Sequence, residues 1–367
     1  MHIVIDARII NSTTGRYVER LLHYLQQVDT INHYTVLVPS KDLNYWIPTA
    51  GNFTVKTADF PNYSFAEQFK FKPFLDSLKP DLVHFCMPQQ PIFYTGATVT
   101  TFHDLTQLDT YNSDKNWFIF HAKQIVAHFV FAIAARTSKH IITPTEYVKQ
   151  DVSKRLRIDP SKITVTYESA DIENITPIPY EHSFDQFIMY VGQQSDYKNI
   201  KRLGDAHQKL LQSYPNLGLI LVGKKNASAI RNEEYFNKKG YRNIRFAGFV
   251  EDNQLAWLFQ NTQAYIFPST MEGFGLPGLE AMSSGAPVVS SNTTCLPEVY
   301  GDAAHYFDPL NTDDIARAIS DVLSNEAYRK TLTDKGYEQA KKYSWLRMAE
   351  QTHTVYQQAL ATTDKKE

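Results

Sequence analysis

Three absences narrow the classes of protein to which this sequence can belong. Only two of the 367 residues are cysteines, Cys86 and Cys295, and neither lies in a Cys-x-x-Cys pair or a Cys/His cluster. We therefore expect no disulfide framework and no structural zinc site. The most apolar stretch, residues 125–135, is shorter than the roughly 20 residues that span a bilayer. The formal net charge of −2 argues against nucleic acid as a partner. The first residues lack the pattern of a secretory signal, so we expect a cytoplasmic protein.

Short β-rich runs alternate with longer amphipathic stretches along the chain. Strands are predicted at residues 3–6, 34–38, 81–85, 99–103, 140–143, 163–166, 187–191, 219–222, 244–246, 264–267 and 287–290. Helices are predicted at residues 15–28, 67–78, 116–136, 200–214, 227–239, 253–260, 279–284, 313–324, 327–342 and 345–360. This alternation is typical of α/β folds in which helices cover both faces of a parallel sheet.

One segment interrupts the alternation. Residues 174–180 contain two prolines and show no periodicity, which is typical of a linker. We therefore predict a Rossmann-like domain over residues 1–176 and a second over residues 177–343, with the helix in residues 344–367 packing back on the first. Two facing, doubly wound domains would enclose a cleft at the carboxyl ends of their strands, where such folds bind ligands.

The most informative segment lies between the predicted strand at residues 264–267 and a helix that begins near Pro277. Proline suits the first helical position, and the glycines before and after it let the backbone pass close to a ligand. The N–H groups at this helix start would favour an anion such as a diphosphate. They belong to Phe274, Gly275 and Leu276.

Two carboxylates flank this anion site and need partners of another kind. Glu272 and Glu280 can each accept two hydrogen bonds from the vicinal hydroxyls of a ribose or a hexose. Together with the amides of the loop that begins at Gly273, they describe a site for a nucleotide sugar. For Glu280 alone a simpler interpretation is open, because an acid in the first turn of a helix is stabilised by the helix dipole without a ligand.

A second motif overlaps the first. Residues 273–278 also match Gly-x-Gly-x-x-Gly, and Glu298 follows 20 residues after Gly278, which resembles the dinucleotide-binding fingerprint. That fingerprint normally follows the first strand of its domain, and its acid closes the next strand. Here the motif lies near the end of its domain and the next predicted strand ends well before Glu298, so we rank this interpretation lower.

The segment from Glu272 to Glu280 resembles the E-x7-E signature of retaining glycosyltransferases of family GT4, which have the GT-B fold. The resemblance extends through residues 285–309 and covers nearly the whole chain. It implies that Glu280 holds the nucleotide ribose and that Glu272 lies near the transferred sugar. The amides of Phe274, Gly275 and Leu276 would bind the sugar hydroxyls and the diphosphate. The backbone of Val250 would contact the nucleobase.

The N-terminal half carries two weaker matches to the same family. Residues 101–105 resemble its His-Asp segment, which implies that His103 contacts the donor sugar and shapes its transition state. Residues 14–17 resemble its glycine loop, shortened here, and imply that Gly15 approaches the diphosphate. A structural histidine and a plain strand-to-helix turn are the alternatives.

Residues 192–199 resemble the family segment that supplies two cations to the leaving diphosphate and commonly ends Glu-Pro-Arg-Lys-Asn. Lys198 and Asn199 match this pattern. Tyr197 stands where the arginine is expected, and Gln193 stands at the alternative arginine site after the glycine. One of the two cations is therefore absent. The candidates to replace it are Arg16 and Arg202.

The resemblance implies transfer of a hexose from a nucleotide diphosphate sugar to a glycan or lipid-linked acceptor, as in polysaccharide biosynthesis, with retention of the anomeric configuration. His103, Lys198 and Glu272 would carry the reaction. We favour GDP-mannose as the donor, with a UDP-sugar as the alternative. Because the sequence has no Asp-x-Asp, we predict no metal and no other cofactor. Two other functions stay open: a non-catalytic GT-B subunit that binds a glycan or another glycosyltransferase, and an NAD-dependent oxidoreductase.

One stretch of the N-terminal half is unevenly charged. Residues 115–165 carry nine lysines and arginines against three acids, and Trp117, Phe118 and Phe120 lie in the same stretch. A basic, aromatic surface can dock on anionic lipid, so the sequence predicts a peripheral contact with the inner face of the plasma membrane. Core aromatics beside solvated lysines are the simpler alternative.

Overall fold

The computed structural model describes residues 1–12, 14–109, 117–171 and 175–361, without the side chains at 117–120, 122 and 123. The chain divides into two compact units. The first contains Met1–Asp109, Phe118–Glu168 and the C-terminal residues from Ser344, and the second contains Ser169–Tyr343. The start of the predicted linker, Asn174, lies outside the described residues.

The first unit is built on a parallel sheet of seven strands. They are β1 (His2–Asp6), β2 (His33–Val38), β3 (Phe53–Thr57), β4 (Leu82–Phe85), β5 (Thr98–Thr101), β6 (His140–Thr143) and β7 (Ile163–Val165). Their order is β3-β2-β1-β4-β5-β6-β7, and every neighbouring pair is parallel. Both faces of the central strands are buried, as expected when helices cover a parallel sheet on both sides.

The connections of this sheet are largely helical. The helices are α1 (Gly15–Val28), α2 (Lys72–Leu78), α3 (Thr106–Asp109), α4 (Trp117–Thr137) and α5 (Glu146–Leu156), and a π-helical turn at Glu67–Phe71 leads into α2. The sequence did not predict α5, although its signals are present. Thr145 caps its start by accepting a hydrogen bond from the Val148 N–H, and the buried residues recur every four positions. These are Val148, Val152 and Leu156.

The second unit repeats the plan with a parallel sheet of six strands. They are β8 (Gln186–Val191), β9 (Leu217–Val222), β10 (Ile244–Gly248), β11 (Ala264–Phe267), β12 (Val288–Ser291) and β13 (Ala304–Phe307), in the order β10-β9-β8-β11-β12-β13. The helices are α6 (Ile200–Leu210), α7 (Ala227–Lys239), α8 (Asp252–Asn261), α9 (Leu276–Ser283), α10 (Leu296–Tyr300), α11 (Thr312–Ser324) and α12 (Glu326–Ala340). The prediction of α/β, Rossmann-like architecture is confirmed in each unit.

The last helix, α13 (Trp345–Ala361), belongs to the first unit, where it packs on α1. A buried hydrogen bond fixes it to the sheet, because the hydroxyl group of Tyr356 lies 2.7 Å from Nδ1 of His84 on β4. The other ring nitrogen of His84, Nε2, lies 2.9 Å from the Thr101 hydroxyl oxygen. Across the described residues, none of the helices combines the length and the apolar character that crossing a membrane requires.

Candidate active site

The loop between β11 and α9 ends at a helix N-terminus. Gly275 closes the loop with a φ of +92°, and α9 begins at Leu276 with Pro277 in its first turn. Among the described residues, three consecutive N–H groups at this helix start take part in no hydrogen bond. They are those of Phe274, Gly275 and Leu276. Unused donors at a helix N-terminus favour an anion.

Two glycines of this loop are required by a neighbour in the second unit. A Cβ atom on Gly275 would lie 2.5 Å from the hydroxyl oxygen of Tyr300, and one on Gly278 would lie 2.2 Å from it. The same hydroxyl donates a hydrogen bond of 2.5 Å to the Gly275 carbonyl oxygen. Burial raises the pKa of Tyr300 well above its ordinary value, so this donor keeps its proton. The sequence related these glycines to a ligand, whereas the structure relates them to packing against α10.

Lys198 and Glu272 form an ion pair in the second unit, where β8 and β11 are neighbouring strands. The distance from Nζ to Oε1 is 2.5 Å, and the side chains are 13% and 12% exposed. The ammonium group also lies 5.0 Å from the ring centre of Tyr197 and 5.6 Å from that of Phe267. An ammonium within about 6 Å of a ring face is attracted to it. Tyr197, which replaces the expected arginine, therefore helps to hold the remaining cation.

The backbone on both sides of this ion pair is fixed. The Thr270 N–H donates a hydrogen bond of 2.8 Å to the Tyr197 carbonyl oxygen, which ties the lysine-bearing turn to the glutamate-bearing loop. The Cys295 thiol contacts the Glu272 carbonyl oxygen at 3.2 Å. Burial first, and the Glu272 carboxylate second, raise the pKa of that thiol and of the Tyr265 hydroxyl well above their ordinary values. The Glu272 carboxylate therefore lies near these neutral groups and the Lys198 cation.

Asn199 has its side chain occupied by protein partners. Its backbone has a φ of +60°, in the left-handed region. The amide nitrogen donates to the carbonyl oxygens of Pro268 (3.1 Å) and Pro309 (2.7 Å), and the amide oxygen accepts a hydrogen bond of 2.9 Å from Arg202. Both amide hydrogens are used in these bonds. Asn199 thus has the contacts of a positioning residue, and the predicted donor contact would need one of these bonds to break.

Glu280 is the fifth residue of α9, one position beyond its first turn. The simpler interpretation of this acid, stabilisation by the helix dipole, stays open, because α9 begins within one residue of the predicted Pro277. The side chain is partly exposed. Glu272 and Glu280 thus lie before and after the unused N–H groups along the chain.

Two further predicted contacts lie at strand ends of the second unit. Gln193 follows β8 and has an exposed side chain, while its carbonyl oxygen accepts a hydrogen bond of 2.5 Å from Tyr190. Val250 follows β10 and is buried, whereas the preceding Phe249 is 67% exposed. Gly273 is buried at the start of the loop before α9. The carboxyl ends of β8, β10 and β11 thus carry the predicted donor-binding residues.

The first unit holds the remaining predicted residues. Gly15 begins α1, and a Cβ atom there would lie 1.9 Å from the Ile10 carbonyl oxygen, so only glycine fits. Arg16 follows with an exposed side chain. The tight turn requires Gly15 whether or not a diphosphate approaches it.

His103 follows β5 and is held from three sides. Its Nε2 lies 3.0 Å from the Cys86 carbonyl oxygen, so this nitrogen carries a proton and donates it. Its Nδ1 lies 3.5 Å from a carboxylate oxygen of Glu168, and its ring meets the ring of Tyr17 edge-on with centres 4.7 Å apart. This carboxylate orients the imidazole, as the third member of a catalytic group commonly does.

Glu168 and the buried group of Asp6, Arg8 and Glu67 were missed from the sequence. Arg8 is 4% exposed and lies 2.8 Å from Asp6 and 2.9 Å from Glu67. Glu67 lies far along the chain from Arg8, and Glu168 lies far from His103, so no local pattern connects these pairs. Their only signal was position, since Asp6 ends β1 and Glu168 follows β7 at the carboxyl edge of the sheet.

Comparisons with known proteins cover both units. Residues 14–174 match Glycosyltransferase Family 4, and residues 172–339 match Glycosyl transferases group 1. The sucrose-phosphate synthase from Thermosynechococcus elongatus has a similar structure, with a TM-score of 0.77, 17% sequence identity and coverage of 99% of this chain and 100% of that one. At this identity the likeness concerns the fold, which is that of a GT-B glycosyltransferase.

Proteins with similar sequences identify the family of glycosyltransferases to which this chain belongs. The O-antigen chain mannosyltransferase B of Escherichia coli is 30% identical over 273 residues, which are 70% of this chain and 69% of the relative. The serotype-specific mannosyltransferase WbdA of Escherichia coli is 30% identical over 264 residues, which are 69% of this chain but 32% of that protein. This chain belongs to the family 4 glycosyltransferases.

Proposed function

We propose that the protein transfers mannose from GDP-mannose to a glycan or lipid-linked acceptor, with retention of the anomeric configuration. The observation that carries this proposal is the row of unused N–H groups at the start of α9, beside the ion pair of Lys198 and Glu272. The relatives from Escherichia coli are mannosyltransferases, which favours mannose. A UDP-sugar is the alternative donor.

The unused N–H groups and Lys198 would bind the diphosphate of the donor. When the bond from the anomeric carbon to the diphosphate oxygen breaks, its electron pair stays on the diphosphate. The acceptor hydroxyl oxygen then bonds to the anomeric carbon, and its proton passes to the oxygen of the departing diphosphate. Fixed donors of this kind stabilise the developing charge, and one donor is commonly worth about 10²–10³ in rate.

The carboxylates would hold the sugars. Glu280 would accept hydrogen bonds from the ribose hydroxyls. When the donor binds, the Lys198 ammonium group would leave Glu272 and contact the phosphate, and the Glu272 carboxylate would then accept hydrogen bonds from the hexose hydroxyls. His103, oriented by Glu168, would contact the transferred sugar, and donation from Nε2 to a sugar oxygen would need its bond to the Cys86 carbonyl oxygen to break. We propose that no metal takes part, and Lys198 would supply the cationic charge at the phosphate.

A ligand screen by thermal denaturation tests this function. GDP and GDP-mannose should raise the melting temperature, because a ligand at 100 times its Kd stabilises the folded state by about 2.7 kcal/mol. NMR of the product should then show the anomeric configuration of the donor. Stabilisation by NAD alone would favour an oxidoreductase. Donor binding without transfer or hydrolysis would favour a non-catalytic subunit.

We also propose that α4 and its basic surroundings dock on an anionic membrane surface at the cytoplasmic side. Ile125, Val126 and Phe129 are 73%, 55% and 60% exposed on one stretch of this helix, and basic residues follow it. Lys115 and the side chains of Trp117, Phe118, Phe120 and Lys123 lie outside the described residues. Co-sedimentation with anionic vesicles at low salt tests this membrane contact. An Ile125→Ser/Phe129→Ser variant should no longer bind the vesicles.

A further inference from the structure

The first unit exposes a row of three phenylalanine rings. Phe65, Phe69 and Phe93 are 84%, 63% and 57% exposed. The ring centres of Phe65 and Phe69 are 6.3 Å apart with planes 13° from parallel, and those of Phe69 and Phe93 are 6.4 Å apart with planes at 30°. A contiguous exposed apolar surface on a soluble domain commonly marks a binding site. We call these residues the phenylalanine row.

The backbone beneath the row has two unusual features. Tyr63, just before it, has a φ of +60°, which is rare outside glycine. The turn at Glu67–Phe71, which carries Phe69, is a π-helix, a form that is rare and frequent at functional sites. Strained backbone of this kind persists only where its surroundings hold it.

Buried polar contacts hold this backbone. The Glu67 carboxylate accepts hydrogen bonds from the Tyr63 N–H (2.9 Å) and from Arg8 (2.9 Å), and it is 2% exposed. The guanidinium group of Arg8 also lies over the ring of Phe71, 4.2 Å from its centre. Since apolar residues could fill such a space at less cost, a buried ion pair here suggests that a defined backbone shape matters.

A second set of contacts sets the position of Phe93. The side-chain amide of Gln68 donates a hydrogen bond of 3.1 Å to the Gln90 carbonyl oxygen and accepts one of 3.0 Å from the Ile92 N–H. Gln68 adjoins Phe69, and Ile92 adjoins Phe93. The backbone that carries the three rings is therefore fixed before any ligand binds, which lowers the entropic cost of binding.

The row lies on the ligand-binding side of its sheet. Its residues follow β3 and β4, and Arg8, which anchors them, follows β1. In open α/β sheets ligands bind outside the carboxyl ends of the strands. In a glycosyltransferase of this fold the corresponding site of the first unit would be that of the acceptor.

The charges around the row favour a neutral ligand. Residues 58–72 and 86–95 contain two acids, Asp59 and Glu67, and two lysines, Lys70 and Lys72, and Lys72 is paired with Asp76. Anionic lipid and nucleic acid are bound by clusters of cations, which these segments do not form. Pyranose rings, in contrast, present C–H groups to aromatic faces and hydroxyl groups to neutral polar side chains, such as Asn62 and Ser64 here.

We propose that the phenylalanine row is a stacking platform for the pyranose rings of a neutral oligosaccharide acceptor. Three rings at intervals of about 6 Å suit consecutive sugars of a chain better than one monosaccharide. The inference rests on the proposed function and narrows its acceptor to a glycan chain of several units.

Oligosaccharide binding to the full-length protein tests the proposal without the transfer reaction. α-Mannotetraose, maltotetraose and cellotetraose are titrated against the protein and followed by saturation-transfer NMR, with mannose for comparison. At least one tetrasaccharide should bind more tightly than mannose. Phe69→Ala and Phe93→Ala should each weaken that binding roughly fivefold, Phe69→Trp should retain it, and Ile31→Ala, at an equally exposed site of the same unit, should leave it unchanged.

Several results would overturn the proposal. One such result is that no tetrasaccharide binds, and another is that the alanine variants bind as well as the unaltered protein at an unchanged melting temperature. A third is that the protein binds anionic or neutral vesicles and no glycan, and that the alanine variants lose this vesicle binding. The binding of GDP and UDP is measured on the same samples. Normal nucleotide binding with failed glycan binding contradicts the platform alone, whereas absent nucleotide binding contradicts the proposed transferase.

Discussion

The two units share the order of their first six strands but use charge differently at the carboxyl ends of those strands. In the second unit Lys198 and Glu272 form a pair that solvent still reaches, at 13% and 12% exposure. In the first unit Arg8 is 4% exposed between Asp6 and Glu67, at 6% and 2%. The pair in the second unit leaves a cation and an acid within reach of a ligand. The first unit uses its charges to hold loops, and the surface it presents is aromatic and neutral.

This difference follows from what each surface would bind. A diphosphate needs fixed donors and a cation near water, and the loop before α9 provides both. A neutral ligand needs shape more than charge. Buried ions contribute little net stability but strongly disfavour any structure in which they separate, so they suit a surface whose geometry matters.

The largest effect is expected where the buried charges are separated. Arg8→Ala would leave the Glu67 carboxylate buried without its cation, and breaking a buried pair costs about 3–5 kcal/mol. The free energy of unfolding of the first unit, measured in urea, should fall by that amount. Arg317→Ala is the matched control, since its ion pairs with Asp314 and Asp321 are largely exposed and worth under about 1 kcal/mol.

The pH dependence of this variant sharpens the test. Burial raises the pKa of Glu67 even with Arg8 present, and removing the cation would raise it further. As the pH falls, Glu67 becomes protonated and no longer needs a cation. The loss of stability should therefore shrink toward acid pH, and equal losses at pH 7 and pH 5 would contradict the role of Glu67.

The next effect concerns the loop that carries the unused N–H groups. Gly275→Ala places a Cβ atom 2.5 Å from the Tyr300 hydroxyl oxygen at a φ of +92°. Left-handed backbone and overpacking together should cost about 2–4 kcal/mol and weaken GDP binding. At Gly51 a Cβ atom meets nothing within 4 Å, so Gly51→Ala should change neither stability nor binding. A Gly275→Ala protein with normal stability would show that the loop is not packed in this way.

The sequence predicted the second unit's site better because that site is largely one segment. Residues 267–280 carry their own signals, whereas Arg8 and Glu67, or His84 and Tyr356, meet across long stretches of chain that no local pattern relates. The two missed strands, β3 and β13, are both sheet edges. Their sequences, Phe-Thr-Val-Lys-Thr and Ala-His-Tyr-Phe, are partly exposed, so the hydrophobic pattern that marks central strands is weak there.

A smaller effect is expected on transfer at the proposed donor site. Lys198→Ala and Glu280→Ala should each reduce transfer at least tenfold, or about 1.4 kcal/mol, in a donor-consumption assay. Lys209→Ala is the control, because its ion pair with Asp313 lies on an exposed surface of the same unit. Rates like those of the unaltered protein in both site variants would refute the assignment.

The last effect compares the two units and appears only in acid. Each unit contains a buried histidine, His84 and His207, and burial lowers their pKa to about 3 and about 4. Unfolded histidine has a pKa near 6.5, so below that pH the unfolded chain binds protons that these folded sites exclude. Each histidine should therefore stabilise its unit fully above about pH 6.5 and progressively less as the pH falls toward its folded pKa. For each histidine the free energy of unfolding changes by at most the equivalent of one proton, about 1.4 kcal/mol per pH unit.

His84→Gln, which retains a donor and an acceptor, should flatten the pH dependence of the free energy of unfolding in the first unit alone. His207→Gln should do the same in the second unit. Hydrogen exchange followed by mass spectrometry resolves the units, and an unchanged slope in the first unit of the His84→Gln protein would show that His84 is already protonated when folded.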